Sequence, residues 1–105
     1  MAKQIYIKSN GKEYILEYNR KIVKQMEAAG FEITKLMDKP VTMIPLLFSG
    51  AFLMHNPSVT ESQKEKMYDE LNNKDEFIEA LSDLYSECVT TLFDNEGNLE
   101  WSKNW

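Results

Sequence analysis

The hydrophobic pattern opens with two short segments rich in β-branched and aromatic side chains, Gln4-Ile5-Tyr6-Ile7-Lys8 and Glu13-Tyr14-Ile15-Leu16-Glu17-Tyr18. Between them Asn10-Gly11 supplies the positive φ angles that a tight turn demands, so residues 3–18 are predicted to form a β-hairpin. Asn19 is placed to cap a helix over 20–29, with Ile22, Val23, Met26 and Ala29 on one side and Gly30 ending it in the left-handed conformation. Phe31 and Ile33 lead into a short helical turn over 34–38, which Pro40 closes.

The pattern then changes character. No Asp, Glu, Lys or Arg occurs between Lys39 and Glu61, and the run from Met43 to Met54 is apolar around its full circumference when wound as a helix over 42–54. Pro45 fits if it lies in the first turn, where the amide it lacks would have had no partner. A helix of this kind needs either a surrounding core or a second molecule on its outer face. Ser49-Gly50-Ala51 at its centre adds a further expectation, because glycine costs about 1 kcal/mol against alanine inside a helix and is tolerated where another backbone comes close. The final helix of the same chain and a second subunit are the two candidates for that neighbour.

His55-Asn56-Pro57 stops the apolar helix. Thr60-Glu61-Ser62-Gln63 reads as a capping box opening a polar helix over 61–72, whose large apolar residues are Met67, Tyr68 and Leu71. Asp75 is expected to cap the last helix, 76–93, with Phe77, Ile78, Leu81, Leu84, Tyr85, Cys88, Leu92 and Phe93 at helical spacing. The tail over 94–105 carries Trp101 and Trp105; folding back onto the core is its ordinary outcome, and extension as a small strand or projection as an anchor for another chain are the alternatives. Because two strands alone are marginally stable, the hairpin must lie on the helices. The fold class is therefore α+β, mainly α, an N-terminal β-hairpin packed on a bundle of about four to five helices. A single domain over 1–105 is expected.

Composition narrows the function classes. The net charge is -5, and the acidity is C-terminal: residues 1–30 hold six basic and three acidic side chains, residues 61–105 four basic and twelve acidic. No long basic block is present, which disfavours a nucleic-acid partner. The apolar run of twelve residues falls short of the roughly 20 of a membrane span, and no signal peptide is read at the N-terminus. Cys88 is the single cysteine, which fits a reducing cytoplasm.

Motifs of catalysis are sparse. His55 is the only histidine, and a helix-terminal position facing the negative end of the macrodipole accounts for it. No HExxH, CxxC, GxGxxG or P-loop pattern occurs, and Asp94-Asn95-Glu96-Gly97 has its glycine misplaced for a calcium loop, so no metal or cofactor is expected. Glu76, Glu79, Asp83 and Glu87 form an acidic stripe that reads as a solvated face. Among the methionines, Met43 and Met54 are the two that could belong to an adaptable binding surface.

The order of elements resembles the small tail assembly chaperones of long-tailed (siphovirus-type) bacteriophages and prophages. The residues that carry it are the hairpin leading into Tyr18-Asn19-Arg20-Lys21-Ile22-Val23-Lys24-Gln25-Met26-Glu27-Ala28-Ala29-Gly30-Phe31, then Lys39-Pro40-Val41-Thr42-Met43-Ile44-Pro45-Leu46-Leu47-Phe48-Ser49-Gly50-Ala51-Phe52, and a last helix ending in Leu92-Phe93. The resemblance implies a non-enzymatic protein of the bacterial host cytoplasm, absent from the mature virion, that binds the tape-measure protein and keeps it soluble for tail tube assembly. It further implies self-association and, in many members, a frameshifted longer product that recruits the tail tube protein; a chain ending at Trp105 corresponds to the short product. Leu47, Phe48, Ala51, Phe52 and Met54, with Trp101 and Trp105, are the candidate contacts for a partner or for self-association. Two rivals are an acidic inhibitor or antitoxin-like module using the C-terminal carboxylates, and a small enzyme using His55 or the carboxylates, which a cleft bringing His55 within hydrogen-bond reach of Cys88 or Glu79 would favour.

Overall fold

The computed structural model describes residues 3–105. Strands β1 (Ile5–Ser9) and β2 (Lys12–Leu16) pair antiparallel with Ile5 opposite Leu16, Ile7 opposite Tyr14 and Ser9 opposite Lys12. Asn10 at φ 52° and Gly11 at φ 78° make the turn, both in the left-handed region that the two-residue hairpin requires. Alternation across the strands turns Ile7 and Leu16 to the core and leaves Tyr6, Lys8 and Glu13 outside. The exit of β2 is tied down by the main chain: the Glu17 amide donates to the Ala51 carbonyl at 3.1 Å, and the Ile15 amide donates to Asn56 Oδ1 at 3.3 Å.

Helix α1 (Arg20–Ala28) starts where Asn19 Oδ1 accepts from the Ile22 amide at 2.8 Å. It ends with Gly30 at φ 97°, and the Phe31 amide turns back to the Met26 carbonyl at 3.0 Å. That reversal delivers Phe31 into the core, edge-on to Tyr85 at 5.0 Å between ring centres. The turn expected over 34–38 is a single 3-10 turn, Ile33–Lys35.

Helix α2 runs from Pro40 to Phe52, two residues earlier at each end than the sequence pattern indicates. Pro40 opens this helix instead of closing the element before it, because its fixed φ suits the first helical position. Pro45 consequently lies inside the helix, beyond the first turn. The bond it cannot make is the one to the Val41 carbonyl, on a residue 88% exposed.

Helix α3 (Glu61–Asp69) carries the expected capping box, the Gln63 amide donating to Thr60 Oγ1 at 3.2 Å and the Thr60 amide to Gln63 Oε1 at 2.9 Å. It stops at Asp69, short of residue 72. Helix α4 (Lys74–Thr90) continues into a 3-10 turn, Thr91–Phe93. Asp75 is not its cap: Asn73, left-handed at φ 52°, precedes the helix, and Asp75 and Glu76 occupy the first turn, where acidic groups suit the helix dipole. The protein is thus α+β and mainly helical, a hairpin followed by four α-helices.

The core is assembled around α2, which touches α1, α3, α4 and β2. Leu47, Ala51 and Phe52 are fully buried and Phe48 is 3% exposed. Phe48 meets Phe52, Tyr68 and Phe77 edge-on at 5.0, 5.4 and 5.6 Å. Tyr18 donates its hydroxyl to the Leu47 carbonyl from a buried position, and that burial raises its pKa well above the ordinary phenol value.

The neighbour that Gly50 admits is neither the last helix nor a second backbone but the Met26 side chain of α1: a β-carbon there would lie 2.5 Å from Met26 Sδ. Gly50→Ala is expected to lower stability by about 1 kcal/mol in urea unfolding, overpacking outweighing the gain in helix propensity. In a Met26→Ala background that penalty should vanish. An equal penalty in both backgrounds would put the crowding elsewhere.

Candidate interaction surface

The structure divides the candidate contacts. Leu47, Phe48, Ala51 and Phe52 are buried in the core of the single chain, and of the four only Phe48 reaches a surface groove. The reason is topological: α1, α3, α4 and β2 supply cover on several sides, which an apolar pattern alone does not specify. Met54, 42% exposed, is at the surface just beyond the end of α2. Trp101 and Trp105 are 83% and 98% exposed, and every residue from Thr90 onward is exposed, so the tail does not fold back. The apolar stripe of α4 likewise outruns the body, with Leu92 and Phe93 in solvent.

What remains open on α2 is one face of its N-terminal half, Met43 on that half being buried. Val41, Ile44, Pro45 and Phe48 recur at helical spacing, and with Tyr68 of α3 they line a groove of about 530 Å³ between the two helices. Phe48 forms its floor while staying almost wholly buried. Glu61, Lys64, Glu65 and Asp69 of α3 frame it. The sequence reading missed Val41, Ile44, Pro45 and Tyr68. Their signal was the proline at position 40: starting the helix there leaves Val41 and Pro45 on the part of α2 that the rest of the chain does not cover.

One wall of the groove is held by a buried lysine. Lys64, 5% exposed, donates to Ser49 Oγ at 2.9 Å and to Glu61 Oε1 at 3.2 Å, and its ammonium stands 5.5 Å over the Phe52 ring. The Ser49 hydroxyl in turn donates to Glu61 Oε1 at 2.8 Å. That bond, with the Lys64 contacts, holds the Glu61 carboxyl below its ordinary pKa against the opposing effect of burial. The triad clamps α3 to α2 beside the groove.

His55 is paired, though with neither Cys88 nor Glu79. Its Nε2 lies 2.7 Å from Oε1 of Glu17, a residue 6% exposed, and Gln4 Nε2 donates to the same oxygen at 2.8 Å. The hydrogen bond from His55 is the main cause lowering the Glu17 pKa, followed by that from Gln4. These residues stitch the entry to β1, the exit of β2 and the α2–α3 loop together. Burial raises the pKa of the partly buried Cys88 thiol, which keeps it protonated and a poor nucleophile. Among the described residues, no three His, Cys, Asp or Glu side chains are grouped to hold a metal ion, and no helix is long and apolar enough to cross a membrane.

A family model, described as a domain of unknown function, DUF5055, matches residues 1–105. The chain belongs to the DUF5055 family. No curated protein and no solved structure matches it.

The Glu17 contacts set a pH dependence with a definite sign. A carboxyl whose pKa is lower folded than unfolded contributes stability that is complete above the unfolded value and is lost as pH falls through the folded one. Urea unfolding from about pH 7 to about pH 3 should therefore show the stability advantage of the native chain over Glu17→Gln shrinking toward acid. An advantage that stays constant across that range would remove the ionised Glu17 from the account.

Proposed function

We propose that this DUF5055 protein is a non-enzymatic tail assembly chaperone of a long-tailed phage or prophage, acting in the host cytoplasm on the helical tape-measure protein. One observation carries the reading: the groove between α2 and α3 has an apolar floor from α2 and a charged wall along α3, and it is open to solvent. Such a groove suits the apolar stripe of an amphipathic helix, whose residues at i, i+3, i+4 and i+7 would meet the matching row on α2. The resemblance of the element order to the tail assembly chaperones supplies the class of client. In this reading Val41, Ile44 and Pro45 are the contacts, Phe48 supports them from below, and the acidic surface of α3 and α4 keeps the complex dissolved. Recruitment of the tail tube protein is left to a frameshifted longer product of the kind that many tail assembly chaperones have. No bond is made or broken in the client.

Co-expression with the tape-measure protein of the same genome tests this. The native chain should hold that protein in the soluble fraction, and Val41→Asp combined with Ile44→Ser should lose at least about 90% of the effect while keeping a native helical signal, since a tenfold loss of affinity needs only about 1.4 kcal/mol. Phe52→Ser, by contrast, should unfold the chain, because it opens a cavity in the core. Full solubilisation by the groove variant would reject the groove as the client site.

A further inference from the structure

We propose that the segment Leu99–Trp105 is an arm that docks into the α2–α3 groove of a second copy of this chain, two copies exchanging arms reciprocally. The inference uses the groove described above but requires no client; an arm seated there and a client helix exclude one another, so a client has to displace the arm. The arm holds three large apolar side chains in solvent: Leu99, Trp101 and Trp105 are 93%, 83% and 98% exposed. In an extended arm the period of two puts Leu99, Trp101, Lys103 and Trp105 on one side and Glu100, Ser102 and Asn104 on the other. The first side therefore carries apolar surface and a single cation, Lys103, whose ammonium sits 5.3 Å over the Trp105 ring.

The groove offers the complement, an apolar floor from α2 and, along α3, the carboxylates of Glu65 and Asp69 on its rim. Lys103 meets these two, while Glu100 is turned away. The arm and the groove of one chain lie at opposite ends of α4. Phe77, in the first turn of α4, touches Phe48 beneath the groove at 5.6 Å, whereas the arm departs beyond Thr91–Phe93, about 25 Å further along the helix. The molecule extends over 58 × 30 × 24 Å, and the arm of a chain stands in solvent, outside that chain's own groove.

Area favours exchange over a single insertion. Each Trp buries roughly 150–250 Å² on docking, so one arm and its groove remove about 1,000 Å² together, at the low end for a stable complex, whereas two reciprocal arms remove about 2,000 Å². A two-fold pair also closes the assembly, each copy giving and receiving one arm.

Both tryptophans of the chain lie in the arm, so their fluorescence reads docking directly in the purified protein. Sedimentation equilibrium should show a monomer–dimer equilibrium, with tryptophan emission shifting to the blue and becoming shielded from acrylamide as the dimer forms. Trp101→Ser with Trp105→Ser should be monomeric, its helical signal and melting curve unchanged, because both positions are exposed. Val41→Asp places an acidic group at an 88% exposed position in the first turn of α2, where it is tolerated, and should weaken the dimer about tenfold or more. Lys103→Glu should weaken it severalfold, and Lys103→Arg should not.

Three results would overturn the proposal. They are a monomer at about 100 μM with unshifted emission, blue-shifted emission in a protein that stays monomeric, and a dimer that survives either the arm or the Val41 substitution. Because no client is present in these measurements, their failure leaves the chaperone reading to its own co-expression test.

Discussion

Burial of helix α2 is the constraint on which the rest of the fold depends. A helix with Leu47, Phe48, Ala51 and Phe52 on adjoining faces cannot rest against one neighbour and solvate the remainder. The chain answers by placing α1, α3, α4 and β2 around it. The two-stranded hairpin, too small to stand alone, gains its footing from the same helix, through the Glu17 amide on the Ala51 carbonyl and the edge of Tyr14 against Phe52 at 6.0 Å. Gly50 lets α1 lay Met26 against the helix, and Tyr18 satisfies its buried hydroxyl on a carbonyl of that helix.

Cover is incomplete on one side, and the composition of α3 explains why. This helix is short and mostly polar, with Met67 its one buried apolar residue, so it cannot roof the whole outer face of α2. Its attachment relies on polar contacts, Lys64 reaching across to Ser49 and Glu61 while stacking its charge over Phe52. A buried lysine is tolerable there because its ammonium has hydrogen-bond partners and a facing ring. The N-terminal half of α2, from Val41 to Pro45, stays beside that clamp without a roof, and the groove is the consequence.

At the other end of the molecule the imbalance is reversed. Helix α4 carries its apolar stripe past the last element able to cover it, leaving Leu92 and Phe93 in solvent, and the chain then runs on with two exposed tryptophans. The unroofed groove at one end and the exposed tail at the other both leave apolar side chains facing water. Its sole histidine braces the hairpin through Glu17, and its sole cysteine is held protonated by partial burial.

Several elements were legible from local residues alone. Asn10-Gly11 specifies its turn because both positions need positive φ; Asn19, Gly30 and the Thr60–Gln63 pair specify helix ends because their partners lie within a few residues. Charge and hydrophobicity also specified that α2 must be covered. Which residues cover it was a tertiary decision. The apolar run reads alike on every face, so nothing in it distinguishes Phe52, sealed by α3 and the hairpin, from Ile44, left beside the groove. Met26 against Gly50, His55 against Glu17 and Lys64 against Ser49 join positions 24, 38 and 15 residues apart, and a side chain's pattern in its own element carries no record of a partner so far along the chain. The sequence by itself determined the elements and the need to bury α2; only packing in three dimensions decided which apolar surface was left uncovered, because coverage depends on where neighbouring elements end.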